Sequence, residues 1–272
     1  MDWNIDFISE ADFKQHIRNT IKEYGSQLEP YTMEKFNSNI IDPIKMVFDK
    51  AVFGKSWDEL ITSEVFRQRD KSNNNSIGYF HQKIFQYIQG CTVPPNGTQG
   101  GWDVIVDKPN GYTADGINTV HKIFVEMKNK HNTMNSSSSA SSYIKMQNQL
   151  LHNDDCLCFL VEAIAKRSQN IVWKTSVNKQ KVEHARIRRV SIDAFYEITT
   201  GDPDGFYKIC SVLPHTVAEV LSEGGDIKSP HDTVIEELHR VADNINIQDE
   251  DLSMLMAMYM LGFSTYNGFK DL

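Results

Sequence analysis

Three charged residues in this sequence have the types and the spacing that metal-assisted hydrolysis requires. Asp103 stands in a short alternating segment, and Glu126 and Lys128 flank Met127 after twenty-two intervening residues. Both segments are rich in β-branched residues and alternate in polarity, as strands do. Side chains alternate along a strand, so Glu126 and Lys128 project from one face while Met127 packs into the other. The pattern predicts a polar site on one face of a sheet.

Two carboxylates on neighbouring strands suit a hard cation such as Mg²⁺, with phosphate and water oxygens completing its coordination. Such an ion neutralises charge on a phosphodiester and lowers the pKa of an attacking water. We therefore predict that Asp103 and Glu126 hold Mg²⁺. Lys128 is predicted to orient or help deprotonate that water and to stabilise the developing charge.

The alternative interpretation is that Glu126 and Lys128 form a solvated strand edge and that Asp103 is a turn or cap residue. The apolar run Ile123-Phe124-Val125 argues against it. Such a run indicates a buried element, where unpaired charges would be costly.

The patterns around the three residues predict a mixture of helices and strands. Apolar residues at three- and four-residue spacing predict helices before the motif, the last of them over residues 77–88, and a glycine-rich turn precedes Asp103. We expect a loop at residues 71–76, a turn at 109–118, a mobile serine-rich loop at 135–142 and a helix at 143–151. Strands are predicted at 157–164, 171–173 and 186–190, and the chain from residue 194 onward is predicted to be mostly helical.

This order resembles the PD-(D/E)XK nuclease superfamily, in which an Asp ends one strand and an (Asp/Glu)-X-Lys motif lies on the next. The sequence departs from that pattern where Trp102 replaces the proline before the Asp, a change that removes no ligand. The resemblance implies an α/β (α+β) fold with a restriction-endonuclease-like core, a mixed central sheet flanked by helices. It also implies the backbone carbonyl of Met127 as a further metal ligand.

We predict a single nuclease domain over residues 1–272, because no linker or internal repeat divides the chain. Its predicted parts are a helical N-terminal part at 1–75, a catalytic core at 76–215 and a helical C-terminal part at 216–272.

A longer likeness covers about residues 75 to 210 and includes the run from Glu126 to Thr133, the serine-rich stretch and the run from Phe195 to Asp202. Over this length the sequence is similar to type II restriction endonucleases of the group that cuts GGNCC-like sites. That resemblance implies a homodimer acting on a palindromic site in double-stranded DNA. It also implies a companion DNA methyltransferase in the same restriction-modification system, without a stable complex.

Polar and basic residues near the motif are candidates for DNA contact, since amide, imidazole and cationic groups suit base edges and phosphates. The candidates are Asn129, Lys130, His131, Asn132, Lys174, Arg186, Arg188 and Arg189. Accessory roles near the metal are predicted for His81, Gln82 and Glu64. The alternative for each group is a solvent-facing position on a turn or a helix.

The net charge of −8 argues against a generally basic surface, so any DNA-binding surface must be local. Residues 166–189 contain eight Lys or Arg and one acid, Glu183, whereas residues 232–251 contain seven acids. We predict that the first segment faces DNA and that the second lies elsewhere. A solvated loop is the alternative interpretation of the basic segment.

Other classes of protein fit the sequence less well. The longest apolar run, residues 254–263, is too short to span a membrane, and the first residues are acidic where a signal peptide is basic. We therefore expect a soluble, cytoplasmic protein with no membrane partner. Cys156 and Cys158, with His152 nearby, fit a core strand better than a zinc site, because they stand in an apolar run.

Three functions remain open at this point. The first is a sequence-specific, Mg²⁺-dependent double-stranded DNA endonuclease, a type II restriction enzyme. The second is a repair or structure-specific nuclease on the same core, and the third is a non-catalytic DNA-binding protein on that core. The intact triplet of Asp103, Glu126 and Lys128 favours catalysis.

Overall fold

The computed structural model describes residues 3–26, 29–39, 41–114, 118–224, 231–263 and 265–266. The chain divides into two compact units, residues 1–21 with 76–226 and residues 22–75 with 227–272. Each unit is therefore built from two separate stretches of chain. The single domain predicted over 1–272 stays a prediction, and the interleaving of the two units was not predicted.

Helices and strands alternate in the first unit, whereas the second is helical. The helices are α1 (Glu10–Ser26), α2 (Met33–Ser38), α3 (Pro43–Phe53), α4 (Trp57–Lys83), α5 (Ser136–His152), α6 (Ile192–Thr200), α7 (Gly205–Gly224), α8 (Val234–Asn244) and α9 (Glu250–Phe263). The strands are β1 (Cys91–Thr92), β2 (Val104–Tyr112), β3 (Val120–Lys130), β4 (Cys156–Ile164), β5 (Asn170–Val172), β6 (Thr175–Val177), β7 (Gln180–Val182) and β8 (Ile187–Ser191). Short 3₁₀ segments lie at Ile84–Tyr87 and Gln99–Gly101.

The central sheet is mixed and has six strands in the order β1-β2-β3-β4-β8-β5. Strands β2 and β3 are antiparallel, whereas β3, β4 and β8 run parallel. Strands β6 and β7 form a separate two-stranded sheet. A mixed sheet with helices packed around it is a restriction-endonuclease-like core, so the predicted fold class is confirmed.

Alternation along the strands gives the central sheet two different faces. On one face, Val104, Val125 and Phe159 pack with residues of α1, α6 and α7 in one hydrophobic core. On the other face, which we call the α5 face, Phe124 and Leu160 pack with residues of α5 in a second core. Cys156 and Cys158 are fully buried in this second core, as the core-strand interpretation predicted.

The second unit has its own core, formed by residues of α2, α3, α4, α8 and α9. Helices α8 and α9 supply Val234, Leu238, Met254 and Met258 to it. Asp232 accepts hydrogen bonds from both the Tyr31 backbone and Arg69. Among the residues that the structure describes, no helix in either unit is both long and apolar enough to cross a membrane.

Several predicted element boundaries are wrong, and each has a local reason. Residues 71–76 lie inside α4 and not in a loop, where the Asn74 side chain donates to the Asp70 backbone and carboxylate. Strand β2 continues to Tyr112, so the predicted turn at 109–118 begins too early. Helix α7 continues through Pro214, although a proline inside a helix usually kinks or ends it.

The serine-rich stretch predicted as a mobile loop is instead the first half of α5. Asn135 caps this helix, because its side chain accepts a hydrogen bond from the Ser138 backbone. Ser142 is buried on the side of the helix that faces the sheet. Capping and tertiary packing therefore stabilise a helix that composition alone does not favour.

Candidate active site

The two predicted metal-binding carboxylates lie on the same face of the sheet. Ile105 pairs with Phe124, and continuing this antiparallel register by two residues brings Asp103 opposite Glu126. Asp103 lies just before β2 and has two contacts with β3: its backbone N–H donates to the Val125 carbonyl at 2.9 Å, and its carboxylate accepts from the Met127 N–H. Residues opposite each other in such a pair have Cβ atoms about 4.5–5.5 Å apart. Asp103 and Glu126 are therefore neighbours on the α5 face.

Glu126 is 8% exposed and is held by side chains from β3 and α5. The Ser142 hydroxyl donates to Oε1 at 2.6 Å, and the Lys128 ammonium lies 2.9 Å from the same oxygen. The Lys145 ammonium lies 3.6 Å from Oε2. Each carboxylate oxygen thus faces a separate positive group, and these contacts fix the orientation of the side chain.

Asp103 is partly buried and is held mainly through backbone groups. The Met127 N–H donates to Asp103 Oδ2 at 2.6 Å. The Gln82 amide donates to the Asp103 backbone carbonyl at 3.2 Å. This contact is consistent with the predicted role of Gln82 near the site, although it reaches the Asp103 backbone and not its carboxylate.

The environments of the two carboxylates shift their pKa values in opposite directions. Burial raises the pKa of Asp103, although the Met127 N–H and the charge of Lys128 act against it. Burial also acts to raise the pKa of Glu126, but the Ser142 hydrogen bond and the charges of Lys128 and Lys145 together hold it below its usual value. Glu126 is thus held ionised, while Asp103 is the carboxylate that gains most from a nearby cation.

The donor set of this site fits a magnesium ion. Among the residues that the structure describes, no three Asp, Glu, His or Cys side chains are grouped closely enough to hold a metal. Asp103 and Glu126 therefore offer two carboxylates without a third protein ligand of these types. Mg²⁺ is commonly bound in this way, because it retains several waters and takes one or two carboxylates together with substrate phosphate.

The other two accessory candidates, His81 and Glu64, contact residues outside the triplet of Asp103, Glu126 and Lys128. Glu64 belongs to the second unit, where its carboxylate accepts hydrogen bonds from Arg67 and Gln68. His81 follows Phe80 on α4, with ring centroids 5.3 Å apart, and burial lowers its pKa to about 4. Their predicted roles near the metal stay predictions.

We expect His81 to make stability fall with acid. The ordinary histidine pKa is about 6.5, so between that value and about pH 4 the unfolded chain binds a proton that the folded chain excludes. Relative to a His81→Gln variant, the wild type should lose about 2 kcal/mol of unfolding free energy between pH 7 and 4.5. Urea unfolding at both pH values measures this difference. A difference that does not change with pH would contradict a partly buried imidazole that stays neutral in the folded chain.

The four polar residues after the catalytic motif are placed at and beyond the end of β3. Lys130 and Asn132 are exposed. Within the described part of the chain, Asn129 Oδ1 and His131 Nδ1 are buried and have no hydrogen-bond partner. Polar atoms left in this state are costly unless another molecule or a rearrangement satisfies them. The DNA-contact prediction for these residues remains open and is consistent with their placement.

The arginines of the basic segment mostly have partners within the protein. Arg188 is 3% exposed and donates to the side chain and backbone of Asn170, so a guanine contact would require these bonds to break, and the predicted contact stays a prediction. Arg189 pairs with the buried Glu162 and donates to the His131 carbonyl. Charge counts along a sequence do not reveal such internal partners.

Two other basic candidates are nearer the solvent. Lys174 is exposed and pairs with Glu183 at 2.6 Å, and the Arg186 guanidinium donates to the Asp154 carbonyl. Lys174 immediately precedes the β6–β7 hairpin, whose turn residues Asn178 and Lys179 have φ values of 50° and 65°. Such a turn fits a two-residue hairpin loop. This hairpin was not predicted, because each of its strands has only three residues.

Helix α5 contributes functional side chains that sequence reasoning missed. Ser142 and Lys145 contact Glu126, and Lys145 also donates to the Gly101 carbonyl at 2.7 Å. The two residues are three apart in sequence, a spacing that places both on one side of a helix. That signal was available, but it was hidden by the prediction that the serine-rich stretch is a loop.

A carboxylate beside a Glu-X-Lys strand, on a mixed sheet between helices, is the arrangement of PD-(D/E)XK nucleases, and this chain has the fold of that class. The family model of the Eco47II restriction endonuclease matches residues 5–222. The chain belongs to that family and is a type II restriction endonuclease, an enzyme that cleaves DNA at specific sequences.

Two similar proteins agree with this assignment. The chain is 30% identical to the type II restriction enzyme Sau96I of Staphylococcus aureus over 218 residues, which cover 77% of this chain and 78% of the relative. It is 28% identical to the type II restriction enzyme Eco47II of Escherichia coli over 229 residues, covering 80% of this chain and 89% of that relative.

Proposed function

We propose that the protein cleaves double-stranded DNA with Mg²⁺ at a GGNCC-like palindrome, using Asp103, Glu126 and Lys128. The observation that carries the proposal is the alignment of Asp103 with Glu126 on one face of the sheet, with the Lys128 ammonium 2.9 Å from Glu126. Asp103 and Glu126 would hold the ion, with the Met127 carbonyl as a further proposed ligand. When bound, the ion would supply charge neutralisation and an acidified water.

Lys128 is proposed to act on the attacking water and on the developing negative charge. Its side chain is one-third exposed, so the ammonium reaches the surface that substrate would occupy. A cation at this position stabilises charge on the phosphate more in the transition state than in the ground state. Ser142 and Lys145 continue to orient Glu126 when Lys128 turns towards substrate.

The proposed DNA-binding surface combines the end of β3 with the β6–β7 hairpin. Ser139 on α5 hydrogen-bonds Thr175 on β6 at 2.8 Å, so the hairpin is fixed to the helix that also contacts Glu126. Val177 and Val182 pack against the core of the α5 face, while Lys179 and Lys181 are exposed. The hairpin thus offers cations on the catalytic side of the sheet. We retain Lys130, Asn132 and Lys174 as candidate contacts as well.

A palindromic site and two strands to cut favour a homodimer with one active site per strand. The family assignment and the resemblance to GGNCC-cutting enzymes support this arrangement. A DNA methyltransferase of the same specificity would protect the host DNA without forming a stable complex. We propose that both act in the cytoplasm, where that DNA lies.

Cleavage of phage DNA with the purified protein tests the proposal. With Mg²⁺ we expect a fixed set of bands, and sequencing of their ends should give one palindrome related to GGNCC. Methylated DNA of the same sequence is the control and should resist cleavage. A smear, or cutting only at junctions, would indicate a repair or structure-specific nuclease on the same core.

A further inference from the structure

The segment that leads into Asp103 has little conformational restraint of its own. Gly100 and Gly101 both have positive φ, 76° and 70°, in the left-handed region that glycine adopts at low cost. Paired glycines leave the backbone many alternative conformations in the absence of other contacts. The placement of the glycines before Asp103 therefore depends on contacts from outside the segment, in addition to those that Asp103 itself makes with β3.

Helix α5 supplies those contacts at two points. The Lys145 ammonium donates to the Gly101 carbonyl at 2.7 Å and lies 4.1 Å from the centroid of the Trp102 ring. One helical turn later, Gln149 accepts a hydrogen bond from the Trp102 indole at 3.2 Å. The glycine-rich segment is thus held against α5 immediately before Asp103.

The same lysine reaches the second carboxylate. Lys145 Nζ is 3.6 Å from Glu126 Oε2, while Ser142, three residues earlier on α5, donates to Oε1. Lys145 consequently contacts both the segment before Asp103 and the carboxylate of Glu126. Its contact with Gly101 involves a backbone carbonyl, so it can persist when a cation takes up Glu126.

We propose that Lys145 is a positioning residue that couples the Gly101–Asp103 segment to Glu126 and so keeps the two carboxylates aligned on one ion. This inference rests on the proposed metal-dependent function. Lys145 does not act on the substrate in this role. It fixes the relative placement of two groups that belong to different segments of the chain, whereas Lys128 acts at the reacting phosphate.

The sign of the effect on metal binding separates positioning from simple charge. A positive charge beside Glu126 repels a divalent cation, so its removal would tighten cation binding if electrostatics alone mattered. Loss of alignment acts in the opposite direction, because the two carboxylates would no longer be held ready for one ion. Removal of a group that orients a metal ligand commonly costs about 10- to 100-fold in metal affinity or activity.

Three variants test the proposal. Lys145→Met removes the charge and keeps the aliphatic stem, Lys145→Arg keeps a donor for Gly101, and Lys208→Met is the matched control. Lys208 pairs with Asp202, and its side chain is 30% exposed compared with 29% for Lys145. The measurements are Ca²⁺ binding by calorimetry without DNA, kcat and KM for cleavage with Mg²⁺, and thermal unfolding.

We expect Lys145→Met to weaken Ca²⁺ binding and lower kcat, each by about 10-fold or more, with little change in KM. Lys145→Arg should restore most of both, and the control should match the wild type. Ca²⁺ binding as tight as or tighter than that of the wild type would overturn the proposal. A raised KM with unchanged kcat would also overturn it, because it would assign Lys145 to DNA contact.

The remaining outcomes are also distinguishable. Should Lys145→Met unfold at the assay temperature, Lys145→Ala carries the test with the same expected losses, because it also removes the contacts with Gly101 and Glu126, and Lys145→Arg remains the rescue. For Ser142→Ala, coupling through α5 predicts a smaller loss in the same direction in Ca²⁺ binding and kcat. A wild type that neither binds Ca²⁺ nor cleaves DNA would instead refute the proposed function.

Discussion

Replacing Glu126 by Gln should lower the rate of DNA cleavage by on the order of 10³-fold or more, corresponding to about 4 kcal/mol of lost transition-state stabilisation. The amide has nearly the same shape, so Ser142 can still donate to its oxygen. The negative charge is lost, however, and with it the ability to hold a hard cation beside Asp103. Single-turnover cleavage with saturating Mg²⁺ measures the effect on chemistry.

DNA binding by the same variant should remain largely intact when measured in Ca²⁺. Glu126 is buried beneath α5 and is proposed to hold the ion and not to read bases. Glu219→Gln is a matched control, because it removes one carboxylate that pairs with Lys14 on the surface. Parallel loss of specific binding and cleavage in Glu126→Gln would mean that the residue has a different role.

Specific DNA affinity should fall steeply with salt concentration. Each phosphate that the protein neutralises contributes a slope of about −0.9 to a log–log plot of affinity against salt. With six to ten such contacts, affinity would fall by about 10³- to 10⁵-fold between 50 and 200 mM salt. This steepness is expected in spite of the net charge of −8, because the exposed cations of the β6–β7 hairpin act locally.

The double variant Lys179→Gln, Lys181→Gln removes four lysines from the proposed homodimer and should make that slope shallower by about 3.6, which is four times the contribution of one phosphate. The control removes the same charge at Lys14 and Lys208, which pair with Glu219 and Asp202. Binding measured by fluorescence anisotropy across a salt series gives both slopes. Equal slopes for the hairpin variant and the wild type would show that Lys179 and Lys181 do not contact DNA phosphates.

The catalytic strands were predictable because their signal is local. Alternation of apolar and polar residues indicated β2 and β3 and placed Glu126 and Lys128 on one face. The chemistry of two carboxylates and a lysine then followed from residue types. The alignment of Asp103 with Glu126, by contrast, depends on the pairing of two strands, and the sequence motif could only suggest it.

Tertiary contacts account for most of what sequence reasoning missed. The serine-rich stretch lacks apolar residues, yet Ser142 is buried against Glu126 and lies in a helix. Arg188 was counted as available charge, although Asn170, eighteen positions earlier, binds its guanidinium. The β6–β7 hairpin escaped notice because each of its strands has only three residues. None of these features has a local pattern strong enough to predict it.

The second unit has a consequence for the way in which the protein is made. The Asn37 side chain donates to the Leu261 carbonyl across 224 positions of sequence, and Tyr31 bonds Asp232 across 201. At ribosomal speeds of about 5–20 residues per second, the early helices wait on the order of ten seconds or more for α8 and α9. During that interval Ile61 and Val65 lack the neighbours that later bury them. The nascent chain therefore presents a hydrophobic surface suited to a chaperone until translation supplies its partners.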